Sequence, residues 1–185
     1  MTGILIVLVA LAASAVVWAA LLRRPGGKEA TAPIPFLMRV PVPWVFLFAY
    51  LVGVAIGRVV PLPVTGVAAR VAWWAGLALV AGGLVLAVSA LGLFRRSHTT
   101  TIPFHLPSTF VTTGPYRFTR NPMYLGLTLV YLGVAGTRAE LWPVAVLPVV
   151  LIYVNFMVIP FEEQRLVELF GDLYRQYRAI VRRWL

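Results

Sequence analysis

Apolar residues fill long runs along this chain, and polar residues gather in the gaps between them. The first run, GILIVLVALAASAVVWAALL at 3 to 22, is uninterrupted, and Arg23, Arg24 and Lys28 follow it. A second extends from Val42 to Val60 and carries Gly53 and Gly57 at the GxxxG spacing that permits close helix approach. A third covers Val67 to Phe94, contains the small residues Gly82, Gly83 and Ala87, and ends at Arg95 and Arg96. A fourth begins at Pro122, where proline suits a first helical turn, and reaches Thr137, roughly 24 Å by helical rise. It turns through Arg138, Ala139 and Glu140 into a fifth, Leu141 to Pro160, so that the last two form an antiparallel hairpin. Because about 20 apolar residues cross a hydrocarbon core of roughly 30 Å, the pattern predicts an all-α integral membrane bundle of about five transmembrane helices.

The polar gaps differ in character. PGGKEATAPIP at 25 to 35 and PLPVTG at 61 to 66 read as loop and turn. Residues 95 to 121 form a Thr- and Pro-rich connection too hydrophilic for lipid. The tail 161 to 185 sets Leu166, Leu169, Phe170, Leu173, Tyr174, Tyr177, Val181 and Trp184 at steps of three or four, opposite Asp172, Arg175, Arg178 and Arg182. That pattern predicts a C-terminal interfacial amphipathic helix, with Gly171 allowing two short helices in its place. The expected organisation is an N-terminal pair of helices in residues 1–66 and a core in 67–185, built from the last three spans, the 95–121 loop and the 161–185 segment.

Composition agrees with this picture, since 61% of the 185 residues are hydrophobic and only 12% are charged. The net charge of +10 raises nucleic acid as a partner, but the placement of the charges argues for the membrane. With the N-terminus outside, only Arg58, Arg70 and Arg138 of the 16 Lys and Arg residues fall on the outer side. This is the positive-inside asymmetry, and it predicts the 95–121 loop and the C-terminus in the cytoplasm; the expected location is a bacterial or archaeal cell membrane. The first run has its basic residues after it, as a retained helix does and a secretory signal does not. Absence of cysteine excludes disulfides, thiolate metal sites and cysteine nucleophiles.

Chemistry concentrates in GPYRFTRNPMYLG at 114 to 126 and in Glu162-Glu163 with the Tyr and Arg residues that follow. The hairpin makes the start of span four and the end of span five neighbours, so the two clusters face one another at the membrane surface. Arg120 suits a bidentate carboxylate contact, the acidic pair suits hydroxyls or an ammonium, and the tyrosines suit stacking on a base or cation. A small zwitterion carrying a nucleoside fits such a site. Each element also has a structural reading: GPY is a turn tripeptide, Arg and Tyr are usual at helix ends, and acids suit a helix N-terminus after Pro160. Asn155, an amide inside an apolar span, is expected to bond another helix or line a pocket. His98 and His105 read as loop residues, and Trp73 and Trp74 as packing or lipid-facing rings. No phosphate loop, metal-ligand spacing or serine triad is present, which leaves hydrolysis and phosphoryl transfer unsupported.

The ordered set Gly114-Pro115-Tyr116-Arg117, Arg120-Asn121-Pro122-Met123-Tyr124, Glu162-Glu163, Phe170-Gly171-Asp172-Leu173-Tyr174-Arg175-Gln176-Tyr177 and Arg182-Arg183-Trp184 resembles the isoprenylcysteine carboxyl methyltransferase and phospholipid methyltransferase superfamily. The likeness covers about residues 90 to 185. It implies a membrane enzyme binding S-adenosylmethionine in a cytosol-facing pocket, with a membrane lipid or lipophilic small molecule as acceptor. By that resemblance Tyr116, Arg120, Asn121, Tyr124, Glu162 and Glu163 hold the cofactor, while Tyr174, Tyr177 and Arg183 close the pocket. It implies no metal. The acceptor most like the family's is an isoprenylcysteine carboxylate; a phospholipid amine, a small thiol, or a non-catalytic scaffold keeping the fold are the alternatives. Asn121 stands where the family has histidine and cannot titrate near neutral pH, so no general base is assigned.

Overall fold

The computed structural model describes residues 40–96 and 110–185, and its secondary structure there is entirely helical. The order is α1 (Val42–Val59), α2 (Gly66–Arg96), a 3₁₀ turn (Gly114–Arg117), α3 (Pro122–Thr137), α4 (Leu141–Tyr153), a π turn (Val154–Val158), α5 (Ile159–Phe170) and α6 (Asp172–Ile180). The expected span at 3–22, His98 and His105 lie outside the described residues.

Three helical stretches are long and apolar enough to cross a membrane: Val42–Val59, Gly66–Leu93 and the continuous Leu141–Phe170. The helix Pro122–Thr137 is apolar but shorter. Large apolar side chains on these helices point outward, among them Phe48, Trp74, Val85, Val149 and Phe156, as expected of surfaces solvated by lipid. The architecture is therefore an all-α integral membrane bundle. One boundary differs from the sequence reading, because the fifth span does not end near Pro160 but runs on to Phe170. Proline removes an N–H and crowds the preceding turn. Here the π turn absorbs that disturbance, with Ile159 N–H bonding Val154 O five residues back, so the helix passes through Pro160 without a break.

The chain forms two compact units. One consists of residues 40–85 and 124–160. In it α1 packs on α4 so closely that a Cβ at Gly53 would lie 2.6 Å from Pro143 Cα. Residues α2 and α3 contribute meet along a glycine seam, where a Cβ at Gly76 would lie 2.6 Å from the Gly133 carbonyl and one at Gly133 the same distance from the Gly76 carbonyl. Gly83 faces Gly126 in the same way one step along, whereas Gly82 meets nothing within 4 Å. The Tyr131 ring takes Phe46 and Tyr50 edge-on at 6.0 and 5.2 Å, and its hydroxyl donates to the Pro143 carbonyl at 2.8 Å. Buried Leu147, Val150 and Val154 complete that core. Asn155 is half-buried within the π turn, and Trp73 and Trp74 are exposed.

The other unit consists, among the described residues, of 86–96, 110–123 and 161–185. Gly114, at φ 60, opens the 3₁₀ turn, and a Cβ there would press on Leu93. At the far end Gly171, at φ 53, separates α5 from α6 by a left-handed backbone step that glycine adopts without steric cost. The tail is thus two short helices, and α6 buries Tyr174 while Leu173 and Ile180 stay exposed beside its arginines.

Candidate functional site

Within this second unit the chain segment 114–121 is bound to the tail by backbone and side chain together. Arg120 N–H donates to the Arg182 carbonyl at 2.9 Å. Thr119 Oγ1 and Asn121 Nδ2 both donate to the Arg183 carbonyl, at 3.1 and 2.9 Å. Thr119 Oγ1 also accepts from Asn121 N–H at 3.1 Å, and Tyr177 donates its hydroxyl to the Tyr116 carbonyl at 2.7 Å. Two chain segments some 60 residues apart are laced into one surface by these bonds.

Glu163 is the centre of charge. Its side chain is only 7% exposed, and its two oxygens receive both arginines: Arg120 Nη2 lies 2.9 Å from Oε1 and Arg183 Nη2 2.8 Å from Oε2. Arg183 Nε adds a longer contact to Oε1 at 3.3 Å, which makes that pair bidentate. One carboxylate thus receives two guanidinium groups, one on each oxygen. Arg120 is itself 90% buried, sends Nη1 to the Arg178 carbonyl at 2.8 Å, and keeps a buried Nε–H with no hydrogen-bond partner among the described residues. A buried donor without a partner is costly, so this atom is an opening for a ligand.

Aromatic rings line the same unit. Phe110 stacks on Phe170 at 5.3 Å and meets Tyr174 and Tyr177 edge-on at 5.7 and 5.1 Å. Burial pushes the Tyr177 phenol up to about 12, against the opposing influence of Arg120. Burial, helped by the Glu163 charge, raises Tyr174 as well, and burial with Tyr177 and Glu162 nearby raises Tyr116. All three phenols are protonated at neutral pH and act as hydrogen-bond donors and ring surfaces, not as bases.

The structure brings Tyr116, Arg120, Asn121, Glu163, Tyr174, Tyr177 and Arg183 together in one unit, with Glu162 close enough to influence Tyr116. Tyr124 belongs to the other unit, where it is buried in the first turn of α3 and its carbonyl accepts from Thr128. The acidic and cationic sides expected to face one another across a gap are joined directly by ion pairs. Two contributors were not legible as candidates. Thr119, 2% exposed, has a sequence signal in retrospect, a threonine two residues before an asparagine in the hydroxyl-to-backbone turn pattern. Phe110, one of several rings in a polar connection, carries none. Among the described residues no group of three His, Cys, Asp or Glu side chains is placed to hold a metal ion.

Comparison with known proteins accords with these motifs. Over 75 residues the chain is 36% identical to methanethiol S-methyltransferase 1 of Bradyrhizobium diazoefficiens, a match covering 40% of this chain and 25% of that protein. The chain therefore spans about a quarter of that relative's length. No solved structure matches. A sequence model of the phospholipid methyltransferase family matches residues 71–173, which include the entry motif, the hairpin, the acidic pair and the start of the tail. With more than half of its length matched, the chain belongs to the phospholipid methyltransferase family.

Proposed function

We propose that the protein is an integral membrane methyltransferase that uses S-adenosylmethionine to methylate a lipophilic acceptor, with residues 67–185 as its core. The observation that carries this reading is Arg120, a buried guanidinium that keeps an unpartnered Nε–H while its Nη2 pairs with Glu163. That donor set fits the carboxylate of an amino-acid cofactor, and the neutral rings of Tyr116, Tyr174 and Tyr177 suit its sulfonium and base. Glu162 and Tyr124 complete the set by family likeness. Glu163, Asn121 and Arg183 serve as positioning residues, since their polar atoms hold one another and fix Arg120.

When bound, S-adenosylmethionine supplies an electrophilic methyl whose bond to sulfur breaks as the bond to the acceptor forms, the electron pair leaving with sulfur. Arg120 fixes the direction of approach, and the aromatic rings exclude water from the dispersing charge. The site's phenols are held protonated and Glu163 is tied to two arginines, so the chain's contribution is placement and not proton removal. An acceptor that ionises unaided, such as an isoprenylcysteine-type carboxylate, fits best. A thiol is the second reading, favoured by the relative whose name is methanethiol S-methyltransferase.

Calorimetric titration of the detergent-purified chain with S-adenosylmethionine tests the proposal. We expect saturable binding, weakened about tenfold or more by Arg120→Lys, because lysine cannot reproduce a planar fork. No heat from the parent protein sinks the cofactor reading, and equal affinity in the variant sinks the site. Methyl-label transfer to carboxylate and thiol acceptors then separates the two readings. The proposed orientation puts the site in the cytoplasm and the α3–α4 turn outside. The chain has no cysteine, so single cysteines at Arg138 and Arg175 report it cleanly. An impermeant maleimide should label intact cells at 138 and not at 175, and the reverse pattern overturns the orientation.

A further inference from the structure

A second place with unassigned chemistry lies in the unit formed by residues 40–85 and 124–160. Where α1 ends and the α3–α4 turn begins there is a half-open cleft of about 160 Å³. Gly53 and Gly57 border it, Pro61 and the Trp142 indole flank it, and its charged groups are Arg58 and Glu140. It holds one cation, one anion and one aromatic face in a small space.

The acid is fixed from several directions. Tyr50 donates its hydroxyl to Glu140 Oε2 at 2.7 Å, and Arg138 Nε donates to Oε1 at 3.0 Å. Ala139 between them adopts φ 54, a left-handed conformation unfavourable for alanine that turns the chain tightly at this point. An ionised carboxylate accepts about four hydrogen bonds, so each oxygen retains capacity for a ligand. The Trp142 N–H is committed to the Val60 carbonyl at 2.6 Å, which holds the indole against the end of α1. Arg58 is exposed and makes no ion pair with any described residue.

We propose that this cleft binds the headgroup of a zwitterionic phospholipid, with the phosphate on Arg58 and the ammonium between Glu140 and the Trp142 ring. Charge complementarity selects this occupant: a guanidinium pairs with phosphate, while a carboxylate beside an aromatic face receives an ammonium. Glu140 is ion-paired with Arg138 through Oε1, so the preference rests on its Oε2 side and the Trp142 face, to which an anionic headgroup offers no cation. The volume accepts an ammonium and its short arm, with the phosphate at the open side. Position agrees as well, since both walls are ends of membrane-spanning helices and therefore lie at headgroup depth. The inference does not depend on the methyl-transfer reading, because none of these residues belongs to the Arg120 cluster.

The test is lipid retention by the full chain. Protein purified in detergent is equilibrated with equal amounts of phosphatidylethanolamine, phosphatidylcholine and phosphatidylglycerol, and bound lipid is counted by native mass spectrometry. The expected result is retention of the two zwitterionic lipids over phosphatidylglycerol by about tenfold, abolished by Arg58→Glu and by Trp142→Leu. Arg58 is exposed, so its variant keeps its packing, and an unchanged elution profile verifies this. Equal retention of all three lipids, or the same preference in Arg58→Glu, overturns the proposal. Displacement by soluble phosphocholine at concentrations matching the lipid also overturns it, because the ligand is then a free metabolite.

Discussion

Replacing Glu163 by glutamine should destabilise the detergent-solubilised protein by about 3–5 kcal/mol and remove the S-adenosylmethionine binding proposed above. The size follows from what the change leaves behind. Arg120 and Arg183 both point at a carboxylate that is 7% exposed, and glutamine is neutral with one amide oxygen where both charges need an acceptor. Two guanidinium groups are then held close together with little water to screen them. Adding Arg183→Gln to Glu163→Gln should recover part of the lost stability, because a single arginine no longer faces another. The pairing is read as a coupling energy from chemical denaturation of the parent, the two single variants and the double variant. Strictly additive effects mean that the triad is not a unit and that its geometry does not control the site.

The glycine seam gives the second large effect. Gly133→Ala should cost roughly 1–3 kcal/mol, and Gly133→Leu should prevent α2 and α3 from packing at all. The new Cβ would meet the Gly76 carbonyl at 2.6 Å, and a backbone carbonyl cannot rotate out of the way as a side chain does. Gly82→Ala is the matched control, one residue from Gly83 on α2 but with open space around it. There, alanine should be neutral or stabilising by up to about 1 kcal/mol through helix propensity. If unfolding in mixed micelles gives the same midpoint for Gly133→Ala and Gly82→Ala, the seam is not what holds the two helices together.

These residues also mark how far the sequence can be read. Pro122 and Thr137 bound α3 as the pattern predicts, because proline at a first turn and a charged turn after Thr137 are local signals. That small residues mediate helix approach was legible, but the choice of Gly83 over Gly82 was not, since which face meets a partner depends on a helix distant in sequence. Asn121 drew notice as a departure from its family. In the structure its amide holds the Arg183 carbonyl, a role visible only when residues 62 apart are in contact. Thr119 and Phe110 owe their importance to the same long-range folding. The motifs themselves were readable because their residue types are expensive at a membrane boundary and stand out against apolar runs.

The π turn has a consequence for the numbering of the acidic pair. An α-helix rotates about 100° per residue, so one additional residue in a turn rotates everything after it by that amount. The buried positions step through Leu147, Val150, Val154 and Val158, and then through Ile159 and Glu163. Had the helix stayed regular, the stripe that includes Val154 and Val158 would have continued to Glu162. The inserted residue moves that line by one, so that Glu163 meets the arginines and Glu162 remains half-buried. Two adjacent glutamates thus acquire different environments from an irregularity a turn upstream. A one-residue deletion within Val154–Val158 would therefore restore a regular helix and leave Glu163 in its place, since Ile159 would then stand four residues after Val154 and Glu163 four after Ile159.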